Sequence, residues 1–399
     1  MTSQEKPPNR SYRRRRGLGR TAALGIGISV ALAALVAASV QMTSNAPAAT
    51  LRIRGADMSF TLQEEAIGKK LTDNGRVAPI EKILASHGAN YSRIRLWVNP
   101  QAGTSDLKSA LTLARRANSA RMQIMLDLHY SDSWADRTTQ QTPAAWQNQN
   151  TQQLAATVKK YTRDVIAKFA SQGTPVDIVQ IGNEVIHGMM WPVGQVYPVG
   201  GEEWSGFTEL LKAGVAGAKE GNPQDPPAIM IHTDTGGDAE ESAYFFDQVK
   251  AHGVPFDLIG LSYYPFWHGS LDDLRNNLKS LSSRFGKDII VAETGYPWTL
   301  SSGDDCPSVV TDIDALPDAA KYPPTPLGQA DFFEALNLVL REVPGGHGVG
   351  YIVWEPGWLP GVNATPEVCN GHSNLTLFNW SGHGLPALTA FEPTGKSGR

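Results

Sequence analysis

Short, mostly apolar runs recur along the chain from Leu51 onward, and between several of them lie stretches with helical periodicity. The runs are Arg54–Met58, Tyr91–Val98, Gln123–His129, Asp177–Asn183, Ile229–Thr233, Leu258–Ser262, Asp288–Ala292 and Gly350–Trp354. Amphipathic segments such as Leu107–Ala117, Thr151–Phe169 and Phe207–Ala218 separate them. Strands alternating with helices mean parallel βα units. Eight such units in about 350 residues predict a closed (β/α)8 TIM barrel, one catalytic domain over residues 49–399. An open doubly wound sheet is the competing architecture, but no glycine-rich phosphate loop follows the first run.

In such a barrel the active site lies at the C-terminal ends of the strands, so the last residues of each run are where chemistry is expected. There the chain carries Arg95 and Trp97, Asp127 and His129, Asn183 and Glu184, His232 and Asp234, Tyr263 and Tyr264, Glu293, and Trp354 and Glu355. Cleaving a glycosidic bond takes a proton for the leaving oxygen and stabilisation of a cationic sugar ring, and two carboxyl groups flanking the bond supply both. Glu184 and Glu293 each close an apolar strand, where the cost of burial makes an acid poor filler. The competing reading is a pair of salt-bridged structural acids.

Composition changes this picture little. The chain has 399 residues, 41% hydrophobic and 19% charged, which is ordinary for a globular protein and excludes fibrous or disordered classes. A net charge of −4 with no basic stripe argues against nucleic acid as a partner. The dense basic run Arg13–Arg16 is instead followed, after Arg20, by the uncharged stretch Thr21–Val40 and the small-residue sequence Ala46-Pro47-Ala48. That is the pattern of a signal peptide over residues 1–48, with an uncleaved membrane anchor as the alternative. Both place the body of the protein outside the cell, as a secreted protein or an anchored one. In that setting the two cysteines, Cys306 and Cys369, are expected to form one disulfide.

Five blocks in order sharpen the reading: Ser131-Asp132-Ser133-Trp134-Ala135-Asp136, Gly182-Asn183-Glu184, Met190-Trp191-Pro192, Ser262-Tyr263-Tyr264-Pro265-Phe266-Trp267 and Glu293-Thr294-Gly295-Tyr296-Pro297. Together they resemble glycoside hydrolase family 53, the arabinogalactan endo-β-1,4-galactanases of clan A, over about Arg54 to Pro386. The resemblance implies a monomeric retaining enzyme acting on pectic galactan or arabinogalactan, with Glu184 as acid/base and Glu293 as nucleophile. It further implies that Asn183 binds the sugar 2-hydroxyl and that Arg95 sits beside Glu293 and keeps its pKa low. Tyr263 or Tyr264 would orient that carboxylate, while Asp57, Asp127, His129, His232 and Asp234 would line the sugar pocket. For the histidines a hydrogen-bonded structural role is the alternative. Tryptophans cluster at or after strand ends (Trp97, Trp134, Trp146, Trp191, Trp267, Trp298, Trp354, Trp358), and their faces suit sugar rings, with Trp354 expected under the reacting sugar. No cofactor is required by this chemistry. Relatives carry calcium in the loop after the seventh strand; here that loop holds Asp304, Asp305, Asp312 and Asp314 but no EF-hand-like run, which leaves a structural calcium unsupported. Rival readings are a mannan- or glucan-cleaving relative of the same clan, or a sugar-binding barrel without catalysis.

Overall fold

In the computed structural model, which describes residues 50–365 and 368–393, the eight apolar runs are eight parallel strands. They are β1 (Ile53–Asp57), β2 (Tyr91–Leu96), β3 (Gln123–Leu128), β4 (Ile178–Ile181), β5 (Ala228–Thr233), β6 (Leu258–Tyr263), β7 (Asp288–Thr294) and β8 (Gly348–Val353). Each pairs with the next, and β8 returns to β1 through Ile53–Gly350 and its neighbours, closing the TIM barrel that the sequence predicts. The leader expected over residues 1–48 lies outside the described residues. Among those described, no helix is long and apolar enough to cross a membrane.

The three amphipathic stretches fold as helices Leu107–Ser119, Thr151–Ser171 and Ser205–Gly221. Two of them begin on side-chain caps that satisfy first-turn amides: Asp106 accepts from the Ser109 amide, and Asn150 forms a capping box with Gln153. Among the short elements that the sequence pattern does not predict are an antiparallel ribbon of Thr72–Asp73 with Arg76–Val77 and a helix Pro265–His268 directly after β6.

Residues two apart on a strand share a face, so the barrel lining can be read in layers. Tyr91, Met125, Ile178, Met230, Leu258 and Ile290 form part of one buried apolar cluster. Two positions onward the same faces carry Arg93, Asp127, Gln180 and His232, all essentially inaccessible to solvent. On β6 the intermediate position is Gly260, where a Cβ would lie only 2.8 Å from the Met230 sulfur, and the polar layer resumes at Ser262. β7 departs from strict alternation: Leu261 pairs with Val291 but Ser262 pairs with Glu293, so the register slips by one residue at Ala292. A bulge of this kind re-aims a side chain. Here it lets Glu293 join the inward layer although Ala292, its neighbour, already belongs to the inner cluster.

Above the strands, Cys306 and Cys369 are joined as expected, 63 residues apart in sequence with Cα atoms 5.8 Å apart, tying the loop after β7 to the loop after β8. By the chain-entropy argument, closing a loop of that length stabilises the fold by about 4 kcal/mol. The Cys306→Ser/Cys369→Ser double variant should therefore lower the free energy of unfolding by roughly that amount, measured as a lower denaturant midpoint at unchanged m-value. A midpoint equal to that of the native protein would show that the bridge holds loops that were already fixed.

Candidate active site

Glu184 and Glu293 meet at the mouth of the barrel. Glu184 follows β4 after Gly182 and Asn183, with a left-handed backbone (φ 47°) that opens the single turn Val185–His187. Non-glycine residues held in that region store strain that surrounding contacts must sustain. One carboxylate oxygen of each glutamate and a ring nitrogen of His232 all lie within 4.8 Å of one another. Both glutamates line a cleft of about 1260 Å³ that runs across this end of the barrel.

The cation beside Glu293 is Arg93, and this corrects the expectation for Arg95. Arg93 Nη2 lies 2.9 Å from Glu293 Oε1 and 2.9 Å from Asp127 Oδ2, while Nη1 donates to Asp57 Oδ2 at 2.9 Å. Gln180 Oε1 and Asn183 Oδ1 also accept from Nη2, each at 3.0 Å. Arg95 stands one step higher on the same face of β2. Its Nη1 pairs with Glu355 at 3.3 Å, and its guanidinium lies over the Trp134 ring at 4.3 Å and the Phe60 ring at 4.8 Å. Period-two spacing puts both arginines inward, and only their height in the barrel separates the roles.

These pairings set the charge states. Burial pushes Asp127 up, but Arg93 and His129 more than reverse it and hold the carboxyl at about 2. Burial also raises Glu293, to about 7 with Arg93 opposing, so the low value expected for this residue is not what the site gives. Glu184 is raised well above the carboxylate range by burial and then by the charges of Glu293 and Asp234, with no arginine to offset them. The order is what matters: a single proton shared by the pair resides on Glu184. Glu355 is also raised, by burial and then by Asp57 beside it, with Arg95 opposing.

A small relay supports Glu184. Ser262 Oγ lies 2.6 Å from Glu184 Oε1 and 3.0 Å from His232 Nε2, and His232 Nδ1 lies 3.1 Å from Asn183 Oδ1 and 3.5 Å from the Glu184 amide. Burial and then Arg93 hold the His232 ring neutral, so it carries one proton. With Glu184 ionised, Ser262 donates to the carboxylate. Donor counting leaves one arrangement in which every side-chain pair of the relay is matched. With Glu184 protonated on Oε1, the acid donates to Ser262, Ser262 to Nε2, and Nδ1–H to Asn183.

Several residues expected to line the pocket sit beneath it instead. Asp57, Asp127 and His232 are wholly buried and act through Arg93, His129 and Ser262. His129 does reach the cleft: its Nδ1 accepts from Trp97 Nε1 and the Ala135 amide, which puts its proton on Nε2, 2.9 Å from Asp127. Asp234 also lines the cleft, but paired with Arg137, which bonds Glu241 at 2.9 Å as well. Tyr264, not Tyr263, contacts Glu293, its hydroxyl donating to Glu293 Oε2 at 3.3 Å, whereas Tyr263 bonds the Gly269 carbonyl. Of the eight tryptophans, Trp134, Trp267, Trp354 and Trp358 line the cleft, and Trp267 is 56% exposed. Trp97 backs His129, Trp298 packs on Trp380, and Trp146 and Trp191 belong to a separate groove. The disulfide and His372 form the far rim. Arg93, Gln180, Ser262 and Arg137 were not singled out from sequence; the strand-face pattern that found Asp127 also contains the first three.

The metal-type donors after β7 do not converge. Asp304 accepts from the Cys306 and Gly361 amides, and Asp312 caps the turn at Asp314. Among the described residues, the group of such donors that does converge is Glu184, His232 and Glu293 itself.

Comparison with known proteins agrees with this geometry. The family model described as glycosyl hydrolase family 53 matches residues 53–391. An uncharacterised protein from the bgaB 5′ region of Niallia circulans is 39% identical over 351 residues, covering 85% of this chain and 93% of its own. Arabinogalactan endo-β-1,4-galactanase A of Aspergillus niger is 38% identical over 318 residues, 78% of this chain and 87% of that one. A solved structure of a fungal β-1,4-galactanase superposes with a TM-score of 0.76 at 34% identity, covering 86% of this chain and 99% of the other. With two glutamates at the ends of β4 and β7 of one barrel and a family match spanning nearly all the described residues, the chain belongs to glycosyl hydrolase family 53.

Proposed function

We propose that this enzyme is exported and cleaves internal β-1,4-galactosidic bonds of galactan or arabinogalactan with retention of configuration. The observation that carries the mechanism is the approach of Glu184 and Glu293 to within 4.8 Å, with Arg93 bonded to Glu293 and not to Glu184. Retaining pairs stand about 5–5.5 Å apart, whereas inverting pairs leave about 6.5–9.5 Å for a water. The substrate follows the named activity of the Aspergillus niger relative, and export follows the basic and apolar N-terminal sequence.

In the first step a Glu293 oxygen attacks the anomeric carbon as the bond to the leaving oxygen breaks, and Glu184 delivers its proton to that oxygen. In the second, water attacks the same carbon, Glu184 takes the water's proton, and Glu293 leaves with its bonding pair. Removing the charge on Glu293 in the intermediate lowers the proton affinity of Glu184, which suits it to act next as base. Ser262 stays against Glu184 through that cycle and donates to its carboxylate whenever the proton has left. Asn183 Oδ1 is already engaged by Arg93, Gln180 and His232, and Nδ2 gives one proton to the Ala135 carbonyl; its second N–H is left for the sugar 2-hydroxyl. Trp354 stacks under the reacting sugar, and the exposed face of Trp267 takes a neighbouring unit. No cofactor enters these steps, because Arg93 supplies the positive charge beside the nucleophile.

The purified protein should release galactose oligomers from β-1,4-galactan and turn over mannan or carboxymethyl cellulose far more slowly. Glu293→Ala should lose turnover on the order of 10⁵-fold. Glu184→Ala should retain activity on aryl galactosides with good leaving groups, and added azide should raise it and yield the β-galactosyl azide. Faster hydrolysis of mannan would overturn the substrate; an inverted first product would overturn the mechanism.

The relay makes a separate prediction about pH. The high-pH limb of kcat/KM follows loss of the Glu184 proton. Glu293, Asp234 and Asp136 hold that proton on, and the Ser262 hydroxyl, bonded to the ionised form, works against them. Ser262→Ala should accordingly move the high-pH limb upward and leave the low-pH limb, set by Glu293, in place. A profile that only falls in height would show that Ser262 packs without tuning.

A further inference from the structure

We propose that the groove beside Trp191 binds uncharged sugar units that continue past the leaving group, an inference that rests on the glycan-cleaving reading above. The groove, about 660 Å³, lies against the catalytic cleft, and Thr138, exposed on the Asp136–Thr139 turn, lines both. Its two loops are stitched together: Gln141 bridges to Trp191, the Trp191 amide donates to the Gln140 carbonyl at 2.7 Å, and the Thr142 hydroxyl donates to the Trp191 carbonyl at 2.8 Å. The shape is therefore set before a ligand arrives. Gln140 Nε2 also donates to the backbone carbonyls of Asn183 at 2.8 Å and Glu184 at 3.4 Å, which fixes the groove wall to the acid/base. Since Glu184 serves the leaving oxygen, this is the side on which the departing part of the chain runs.

The lining chemistry identifies the class of ligand. No side chain in the groove is ionisable, whereas two other hollows on the molecule are lined by charges, one by Lys219, Lys250 and Lys287, the other by Asp177, Asp225 and Asp288. A uronate chain would find no cation here. The Trp191 N–H is spent on the His187 carbonyl at 3.1 Å, so the half-buried indole offers its face, the surface that the CH side of a sugar ring packs on. Around it the exposed amides of Gln141, Gln147 and Asn148 combine donors and acceptors, the match for hydroxyls that are both. Gln140 Oε1, on the same wall, is buried and has no hydrogen-bond partner.

Kinetics on polymeric galactan against a short aryl galactoside test the site. Trp191→Ala should lower kcat/KM about tenfold on the polymer, the effect of losing one aromatic platform, and leave the short substrate unchanged. Gln141→Ala/Gln147→Ala removes only exposed side chains and should lower the polymer value severalfold in the same way. Unchanged polymer kinetics in both variants, or equal losses on both substrates, would overturn the groove. Affinity electrophoresis in the Glu293→Ala background, with galactan, mannan or polygalacturonate in the gel, reads the groove without turnover. Retardation by a neutral polymer, weakened by Trp191→Ala, supports it even if the native enzyme proves inactive on galactan, a result that would sink the proposed substrate alone. Retardation by polygalacturonate only, or no effect of Trp191→Ala, would sink the groove.

Discussion

A guanidinium with no access to solvent is tolerable only when its charge and its donors are all answered, because the desolvation penalty otherwise dominates. Arg93 meets that condition by collecting Asp57, Asp127 and Glu293 around one cation, with Gln180 and Asn183 taking further bonds. The cluster then carries more negative than positive charge. That excess keeps Arg93 protonated and raises the cost of a second carboxylate charge nearby, while burial and then the Arg93 charge hold His232 neutral against Asp127. Glu184, a few ångströms away and without an arginine, bears that cost by keeping its proton. The asymmetry of the two glutamates thus follows from where one arginine is placed, and the two roles proposed for them follow from the asymmetry.

The barrel makes the placement possible. Its lower interior is filled by Tyr91, Met125, Ile178, Met230, Leu258 and Ile290, which gives the polar layer a rigid, dry floor. Charges above such a floor interact more strongly than in water. Because parallel strands all end on one side, residues from β1 to β8 converge without any of them being close in sequence. The bulge at Ala292 supplies the one adjustment that regular pleating cannot, turning Glu293 toward Arg93.

This division explains how far the sequence could be read. Period and composition were enough for the strands, since each apolar run is short, bounded and repeated, and strand ends were enough to pick Glu184 and Glu293. Face alternation along the strands is consistent with Arg93, Asp127, Gln180 and His232 sharing one lining, but it carries no information on height, and it does not by itself pick Arg93 or Gln180 out. Arg93 and Arg95 look alike along β2, and so do Tyr263 and Tyr264 at the end of β6, where the chain leaves the pleat and enters the Pro265–His268 helix. Ser262 drew no attention because a serine in a strand is chemically silent until a carboxylate is found 2.6 Å away. The register slip at Ala292 has no signature in residue type at all.

The same reasoning separates chemistry from recognition. The residues of the polar layer stand on strands or directly after them and are fixed by several bonds each, some of them to the loop after β3, where the Ala135 carbonyl and the Gln140 amide hold Asn183. What a polymer meets first is loop sequence: Trp134 and Arg137 after β3, Trp267 after β6, and the rim where Cys306 and Cys369 bind the last two loops to each other. A change at Trp267, 56% exposed, stays within that upper tier. A change in the polar layer cannot be so contained, because Arg93 links five side chains: moving any one leaves another buried without its partner, a loss of about 1–3 kcal/mol or more for charged groups. Constraint in this molecule therefore falls off with height above the apolar floor, from the strands that carry the Arg93 cluster to the loops that rim the cleft.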